Sequence, residues 1–180
     1  MRLHSYKTCG IIIKRINTGE ADKIITLITP EYGKLRCVAK GIRHLHSRKA
    51  PALELFSLSQ LFLVKGKNLD IVTEVKLIES FRNLRQSLDR VKLAYQFCEL
   101  INLMTVEAQG QEEVFELFKK ALKWLDETRQ LSLEGLRRFQ LCLLRELGFG
   151  VPTQQDLDNL TLYIENIIDK RLVTKNHFKL

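Results

Sequence analysis

Apolar and polar residues alternate along the first 80 residues with the period of two that β-strands show. Turn residues, mainly Gly, Pro and Asn, separate the runs. The predicted strands cover residues 6–16, 24–28, 34–40, 56–64 and 69–77. The connection between the third and fourth is longer, at residues 41–51. Five strands with one longer connection predict a small closed barrel of the OB type.

After Ser80 the apolar spacing changes to steps of three and four, which is typical of amphipathic helices. The predicted stripes are Leu84, Leu88, Val91, Tyr95, Cys98 and Ile101, then Val114, Phe118, Ala121, Leu122 and Leu125, and finally Leu157, Leu160, Ile164 and Ile167. Residues 136–147 are apolar nearly all round, so we expect this helix at the centre of a bundle. Ser132 is the expected N-cap of that helix, and Thr153 with Asp156 is the expected start of the last one.

The prediction is therefore an α+β chain in two parts. A five-stranded OB-fold barrel occupies residues 1–80, and an α-helical bundle occupies residues 81–180. Phe56 and Phe62 are assigned to the barrel core.

Charge is concentrated in the first part. Residues 1–80 carry 14 basic and 7 acidic side chains, whereas residues 81–180 carry 15 and 14. The net charge of +8 therefore comes almost entirely from the predicted barrel. Such an imbalance indicates that the barrel binds anions.

The basic residues cluster in one stretch, residues 34–49, which contains no acid. Its six cations are Lys34, Arg36, Lys40, Arg43, Arg48 and Lys49. Nucleic-acid phosphate is the usual partner of such a block, so these six are the predicted DNA-binding residues. Lys14 and Arg15 are added with lower rank, because a strand and its turn can place them on either side of the barrel. The alternative is an edge strand and a charged loop that merely sit in water.

Metal and catalytic sites are not expected. Cys9, Cys37, Cys98 and Cys142 lie singly in apolar segments, which is typical of buried thiols in a reducing cytoplasm. His44 and His46 have no cysteine or carboxylate nearby in sequence, and Glu20 and Asp22 lie beside a turn, where a structural role is favoured. No phosphate-binding glycine loop or nucleophile motif is present. We therefore expect a cytoplasmic protein that is not an enzyme and has no cofactor.

A series of short segments occurs in a recognisable order at residues 10–13, 19–23, 29–34, 40–43, 47–48, 53–56, 69–74, 79–81 and 144–149. Together these segments resemble the bacterial RecO family of DNA repair and recombination proteins. The resemblance covers residues 6–150 and, more weakly, the tail near residues 175–178. It implies an N-terminal OB-fold, a C-terminal helical domain, binding of single- and double-stranded DNA, and annealing of complementary strands. It also implies cooperation with RecR in loading the recombinase onto strands coated by single-strand-binding protein (SSB), and docking of the acidic SSB C-terminal tail.

One departure from the family pattern is large. Many relatives carry a cysteine-rich zinc element after the Leu-Gly-Phe segment, but here residues 149–156 contain no cysteine. The interpretation is a short form in which the zinc element is deleted and the last helix is retained.

The helical part also contains basic clusters. A cleft that joins these cations to apolar residues would suit an acidic peptide with an aromatic end, such as the SSB tail. The predicted partner-binding residues are Lys119, Lys120, Lys123, Arg137 and Arg138. The alternative is a solvated polar face.

The leading hypothesis is a DNA-binding and annealing protein of recombinational repair. Two others stay open: an OB-fold protein directed at RNA, and a protein-interaction adaptor whose barrel charge only aids solubility.

Overall fold

The computed structural model describes residues 4–177; Phe178, in the weakly matching tail, lies outside them. The chain divides into two compact units. The first contains the residues up to Ser80 together with Val106–Glu112, and the second contains Phe81–Thr105 and the residues from Glu113 onward. A short piece of the predicted helical part thus groups with the barrel. In the described part of the chain, no helix combines the length and the apolar character needed to cross a bilayer.

The first unit is a closed five-stranded barrel, as predicted. Its strands are β1 (Ser5–Thr18), β2 (Asp22–Thr29), β3 (Gly33–Ala39), β4 (Leu58–Val64) and β5 (Asp70–Glu79). The order around the barrel is β1-β2-β3-β5-β4, with β4 pairing back to β1. All pairs are antiparallel except β3 with β5. This closure with one parallel pair defines the OB-fold barrel.

The barrel interior is filled by alternate residues of each strand, as the pleat requires. The core cluster contains Ile12, Ile25, Leu27, Cys37, Ala39, Ile42, Leu53, Leu61, Leu63 and Val72. Ile42 and Leu53 come from the β3–β4 connection, which includes a 3-10 turn at Pro51–Leu53. The connection is fixed there because the Ser59 hydroxyl donates to the carbonyl of Ala52 over 2.5 Å. This connection therefore supplies part of the core.

The assignment of both phenylalanines to the core is wrong for one of them. Phe56 is buried, but Phe62 is 38% exposed. Leu61 and Leu63 point inward, so the strand alternation turns Phe62 to the outside. There the ammonium of Lys7 lies 5.4 Å from the centre of its ring. The many apolar residues of this strand favour burial of both its faces, but from Gln60 onward the outward face stays at least partly exposed.

Among its described residues, the second unit contains four α-helices: α1 (Leu88–Met104), α2 (Glu112–Glu127), α3 (Leu133–Glu146) and α4 (Leu157–Ile168). The α3 helix packs on α1 through Phe139 and Phe97, whose ring centres are 4.3 Å apart. Together with the barrel, these helices confirm the predicted fold class.

The predicted apolar stripe of α1 is partly wrong. Leu88 and Tyr95 are exposed, while Leu93, Ala94 and Phe97 are buried. Apolar residues lie on most sides of this helix, so spacing by three and four fits more than one stripe.

The predicted caps also differ in detail. Ser132 occupies the N-cap of α3, but its side chain makes no capping hydrogen bond. The cap of α4 is Asp156, whose carboxylate accepts the backbone N–H of Asn159 over 3.0 Å. Thr153 lies outside the cap because the helix begins at Leu157.

The segment Val106–Glu112, between α1 and α2, lies against the turn that joins β2 to β3. The N–H of Ala108 donates to the carbonyl of Lys34 over 3.1 Å. The N–H of Gln111 donates to the carbonyl of Pro30 over 3.2 Å. Gly33 has a φ of 59°, and a Cβ at this position would overlap the carbonyl of Gln109. Glycine at residue 33 thus permits both the turn and the close approach.

We predict that Gly33→Ala destabilises the first unit more than Gly19→Ala does. Both glycines have positive φ, but a Cβ at Gly19 meets nothing within 4 Å. The backbone conformation costs each variant about 1–2 kcal/mol, and only Gly33→Ala adds the overlap with Gln109. Urea unfolding measures both. Equal losses would contradict the close packing of residues 106–112 on the barrel.

Candidate nucleic-acid interface

Three of the predicted cations lie on one outward face of the barrel. The backbone register pairs Lys14 with Thr26 and Thr26 with Arg36, which places them in one row across β1, β2 and β3. Lys34 lies two residues before Arg36 and points to the same side. We call Lys14, Lys34 and Arg36 the basic face. Its position follows from the alternation that turns Cys37 inward.

The charges of the basic face lie close enough together to change the pKa of Lys34. Burial lowers the pKa of Lys34 from its ordinary value, and the positive charges of Arg36 and Lys14 lower it further. The carboxylate of Glu107 offsets part of this effect. It also lies 3.7 Å from the guanidinium of Arg36. The face is therefore a cluster of like charges with one acid at its edge.

The four remaining cations of the basic stretch follow β3 in the loop region. The guanidinium of Arg43 donates to the carbonyl of Gly19 over 3.4 Å, and the ammonium of Lys49 donates to the carbonyl of Val72 over 3.1 Å. These two bonds help to hold the β3–β4 connection in place. Lys40 and Arg48 are exposed and make no hydrogen bond or ion pair with any residue in the range 4–177.

Lys14 and Arg15 lie on opposite sides of the sheet. Arg15 pairs with Ile25 in the row that leads to Cys37, which is the inward side. Its guanidinium donates to the carbonyl of Leu53 over 3.2 Å and forms an ion pair with Glu54. Arg15 therefore fixes the β3–β4 connection, and only Lys14 joins the basic face.

The two acids considered for catalysis have different surroundings. The carboxylate of Asp22 accepts the backbone N–H of Gly41 over 2.8 Å, a structural bond between the start of β2 and the β3–β4 connection. Glu20 is exposed and lies with Asp22, Arg43 and His44 around a shallow hollow.

Burial raises the pKa of the Cys37 thiol to about 12, so this thiol stays protonated. Within residues 4–177, no group of three or more His, Cys, Asp or Glu side chains could hold a metal ion.

A polar cluster at the start of β5 is not among the sites predicted from the sequence. The hydroxyl of Tyr6 donates to the carboxylate of Asp70 over 2.5 Å, and the ammonium of Lys65 donates to it over 2.9 Å. Burial would raise the pKa of Asp70, but these bonds and the N–H of Gly66 outweigh it and hold the pKa below its ordinary value. Tyr32 packs on Tyr6 with ring centres 5.0 Å apart. Residues so far apart in sequence give no local signal of this contact.

The second unit contains an apolar groove with a basic rim. Its volume is about 440 Å³. The groove is lined by Phe97, Leu117, Lys120, Ala121, Trp124, Ser132, Glu134, Gly135, Arg138, Phe139 and Cys142. A Cβ at Gly135 would overlap the Trp124 ring, so this glycine allows α2 and α3 to approach closely at the groove.

Of the five predicted partner-binding cations, Lys120 and Arg138 line this groove. The other three lie outside the lining. Lys119 pairs with Glu116 over 3.0 Å, Lys123 pairs with Glu127 over 3.7 Å, and Arg137 pairs with Glu134 over 2.6 Å. Hydrogen bonds from Arg137 and Arg138 lower the pKa of Glu134 to about 2. The groove thus combines aromatic walls with two cations, one of which, Arg138, is paired with the Glu134 carboxylate over 3.0 Å.

The fold and these surfaces define a class: an OB-fold barrel with a basic outer face, followed by a helical domain. The family model described as recombination protein O N terminal matches residues 1–81, and that described as recombination protein O C terminal matches residues 85–159. The chain belongs to the recombination protein O family, which confirms the resemblance found in the sequence.

Individual proteins of this family are similar to the chain over most of its length. The chain is 39% identical over 149 residues to a DNA repair protein RecO of Roseiflexus sp. (strain RS-1), covering 83% of this chain and 52% of the relative. It is 34% identical over 175 residues to that of Dehalococcoides mccartyi (strain 195), covering 97% and 66%. It is 40% identical over 144 residues to that of Symbiobacterium thermophilum, covering 80% and 57%. The chain spans about half to two thirds of the length of these relatives.

We predict that Tyr6→Phe lowers the free energy of unfolding by about 1–2 kcal/mol, because Asp70 loses a donor while it stays buried. The folded pKa of Asp70 is depressed, so its stabilisation is present above its unfolded pKa, near 4, and is lost as pH falls through the folded pKa. The difference between wild type and variant should therefore narrow in acid. Urea unfolding from neutral to acidic pH measures it.

Tyr32→Phe is the matched control, because it removes the same atom from the neighbouring ring. The Tyr32 hydroxyl makes no hydrogen bond with any described residue. Equal, pH-independent losses in the two variants would show that Asp70 does not depend on the Tyr6 hydroxyl.

Proposed function

We propose that this chain is a non-enzymatic, DNA-binding protein of recombinational repair. It binds single- and double-stranded DNA through the barrel, anneals complementary strands, and helps RecR to load the recombinase onto SSB-coated single strands. The observation that carries the proposal is the basic face, where strand pairing places Lys14 and Arg36 in one row beside Lys34. Family membership supports the recombinational role.

The physical basis of binding is neutralisation of phosphate. Ammonium and guanidinium groups on a sheet surface contact the backbone, so they position the strand without reading its sequence. Exposed Lys40 directly follows the end of β3 and continues the alternation of Lys34 and Arg36, so it extends the cationic path. A surface of this kind also lowers the repulsion between two strands, which favours annealing without any bond chemistry. Binding should therefore be general in sequence and steeply dependent on salt.

The alternatives differ in ligand. An RNA-directed barrel would use the same cations, and it would prefer RNA through contacts with the 2′-hydroxyl. An adaptor would bind partners through the helical unit and have no need of the basic face. Binding measurements with DNA and with a matched RNA strand therefore separate the three functions.

We predict that Lys14→Glu/Arg36→Glu weakens binding of labelled single-stranded DNA strongly. Each lost phosphate contact should reduce the slope of log K against log salt by about 0.7, so the pair should reduce it by about 1.4. Fluorescence anisotropy across a salt series measures both quantities. The same variant should anneal complementary strands more slowly.

The control is Lys7→Glu/Lys76→Glu, which makes the same charge change on β1 and β5. Lys7 lies beside Phe62 in the β1–β4–β5 part of the barrel, away from the row that joins β1, β2 and β3. Equal losses of DNA affinity in both variants would mean that binding depends on net charge alone and not on the position of the cations. Tighter binding of a matched RNA strand would favour the RNA alternative, and absence of binding by the wild type would favour the adaptor.

A second function is favoured by the groove in the helical unit. We propose that it binds an acidic peptide with an aromatic end, as in the SSB C-terminal tail. Phe97, Trp124 and Phe139 provide apolar walls, and Lys120 and Arg138 lie beside them. An aromatic side chain would fill the apolar part while carboxylates meet the two cations.

We predict that Lys120→Glu/Arg138→Glu weakens binding of a labelled peptide of aspartates ending in phenylalanine by roughly tenfold or more, because each change replaces attraction of a peptide carboxylate with repulsion. Lys119→Glu/Lys123→Glu makes the same charge change on α2 outside the groove and should change affinity much less. Anisotropy measures both affinities. If the two variants lose equal affinity, the groove is not the docking site.

A further inference from the structure

The acidic side chain of Glu107 lies on the basic face although it belongs to the connection between two helices. Residues Val106–Glu112 group with the barrel unit. Residue 107 forms a parallel bridge with Lys34, and the following N–H, of Ala108, donates to the Lys34 carbonyl. The backbone therefore fixes where the Glu107 carboxylate can reach.

That carboxylate meets the groups that the proposed function assigns to phosphate. It lies 3.7 Å from the guanidinium of Arg36, and both side chains are about half exposed, at 54% and 41%. It also acts electrostatically on Lys34. A carboxylate and a phosphate both present anionic oxygens to such donors, so they compete for the same cations.

The connection is held by contacts that do not involve the carboxylate. The close approach of Gln109 to Gly33 and of Gly110 to the carbonyl of Glu31 leaves no space for side chains at either glycine. Gln111 adds its hydrogen bond to Pro30. Removing the charge of Glu107 should therefore leave the segment in place.

We propose that Glu107 is a built-in competitor of nucleic acid, which occupies Arg36 and Lys34 until a phosphate displaces it. The inference rests on the proposed function of the basic face. Because the displaced carboxylate stays close to the incoming phosphate, it opposes binding twice, by lost pairing and by repulsion. Glu107 thus sets the affinity threshold of the face, so that strands are bound tightly only where several phosphates contact it together.

The test is the affinity of Glu107→Gln for labelled single-stranded DNA. An exposed ion pair contributes about 0.2–1 kcal/mol, so its loss alone predicts a gain of about 1.4- to fivefold. The added repulsion raises the expected gain to roughly two- to tenfold at low salt. The gain should shrink as salt increases, because exposed charges are screened.

Glu74→Gln is the matched control. Glu74 is exposed on β5, opposite Phe62, and the variant changes the net charge by the same amount. The expected gain for this control is small. A double-mutant cycle adds specificity: in an Arg36→Gln background, Glu107→Gln should gain less affinity than it does in the wild-type background, because one of the two cations paired with Glu107 is already absent.

The outcomes separate the two proposals. If wild type binds and Lys14→Glu/Arg36→Glu does not, while Glu107→Gln and Glu74→Gln behave alike, the competitor role is wrong and the DNA site stands. If wild type does not bind DNA, the proposed function fails, and inorganic tripolyphosphate becomes the probe for the same four proteins. Equal tripolyphosphate affinity of Glu107→Gln and wild type, or no binding at all, would then overturn the competitor role as well.

Discussion

The parallel pairing of β3 with β5 is the contact on which the barrel and its candidate site both depend. It is short, with Cys37 opposite Asp70 and Val38 opposite Ile71. Without it the sheet would stay open, and the outward direction of Lys34 and Arg36 would not be fixed by a core behind them. Asp70 is buried at this junction, where it accepts hydrogen bonds from Tyr6 and Lys65 and so connects β1 and the β4–β5 hairpin to the closing strand. A buried carboxylate is costly unless it is paired and hydrogen-bonded, which explains why three donors converge on it.

Closure also explains the composition of β3. Cys37 and Ala39 are fully buried, and small side chains at these positions let the strand approach the interior closely. Their alternation with Lys34 and Arg36 makes one strand serve two purposes, with packing on one side and charge on the other. A one-residue shift in register would expose the small apolar residues and bury the cations, so the core itself selects the register that displays the basic face.

Local patterns in the sequence are enough to predict the barrel and the outward position of Lys34 and Arg36 on β3. Alternation predicts where the strands lie, and the run of six cations without an acid in residues 34–49 predicts where an anion would bind. Alternation does not separate Lys14 from Arg15 at the irregular part of β1, where the register shifts between Ile12 and Lys14. It also does not indicate that Asp70 meets Tyr6, because 64 residues separate them. Alternation alone would predict that Phe62 points outward, since it lies between the inward Leu61 and Leu63. The apolar character of the whole strand, however, favours burial of Phe62. The position of Glu107 has no local signal, because it depends on the fit of residues 106–112 against Gly33.

The charge distribution of the basic face is better explained by ligand binding than by stability. Burial and the charges of Arg36 and Lys14 lower the pKa of Lys34, which means that the folded state holds this ammonium less favourably than water does. A protein selected for stability alone would spread these charges or pair each with an acid. Glu107 relieves part of the repulsion, but only one carboxylate reaches the cluster from residues 106–112. Partial compensation keeps the unliganded face folded and leaves net positive charge for an anion that brings several oxygens at once. The same balance accounts for an acidic residue within a surface that we propose binds phosphate.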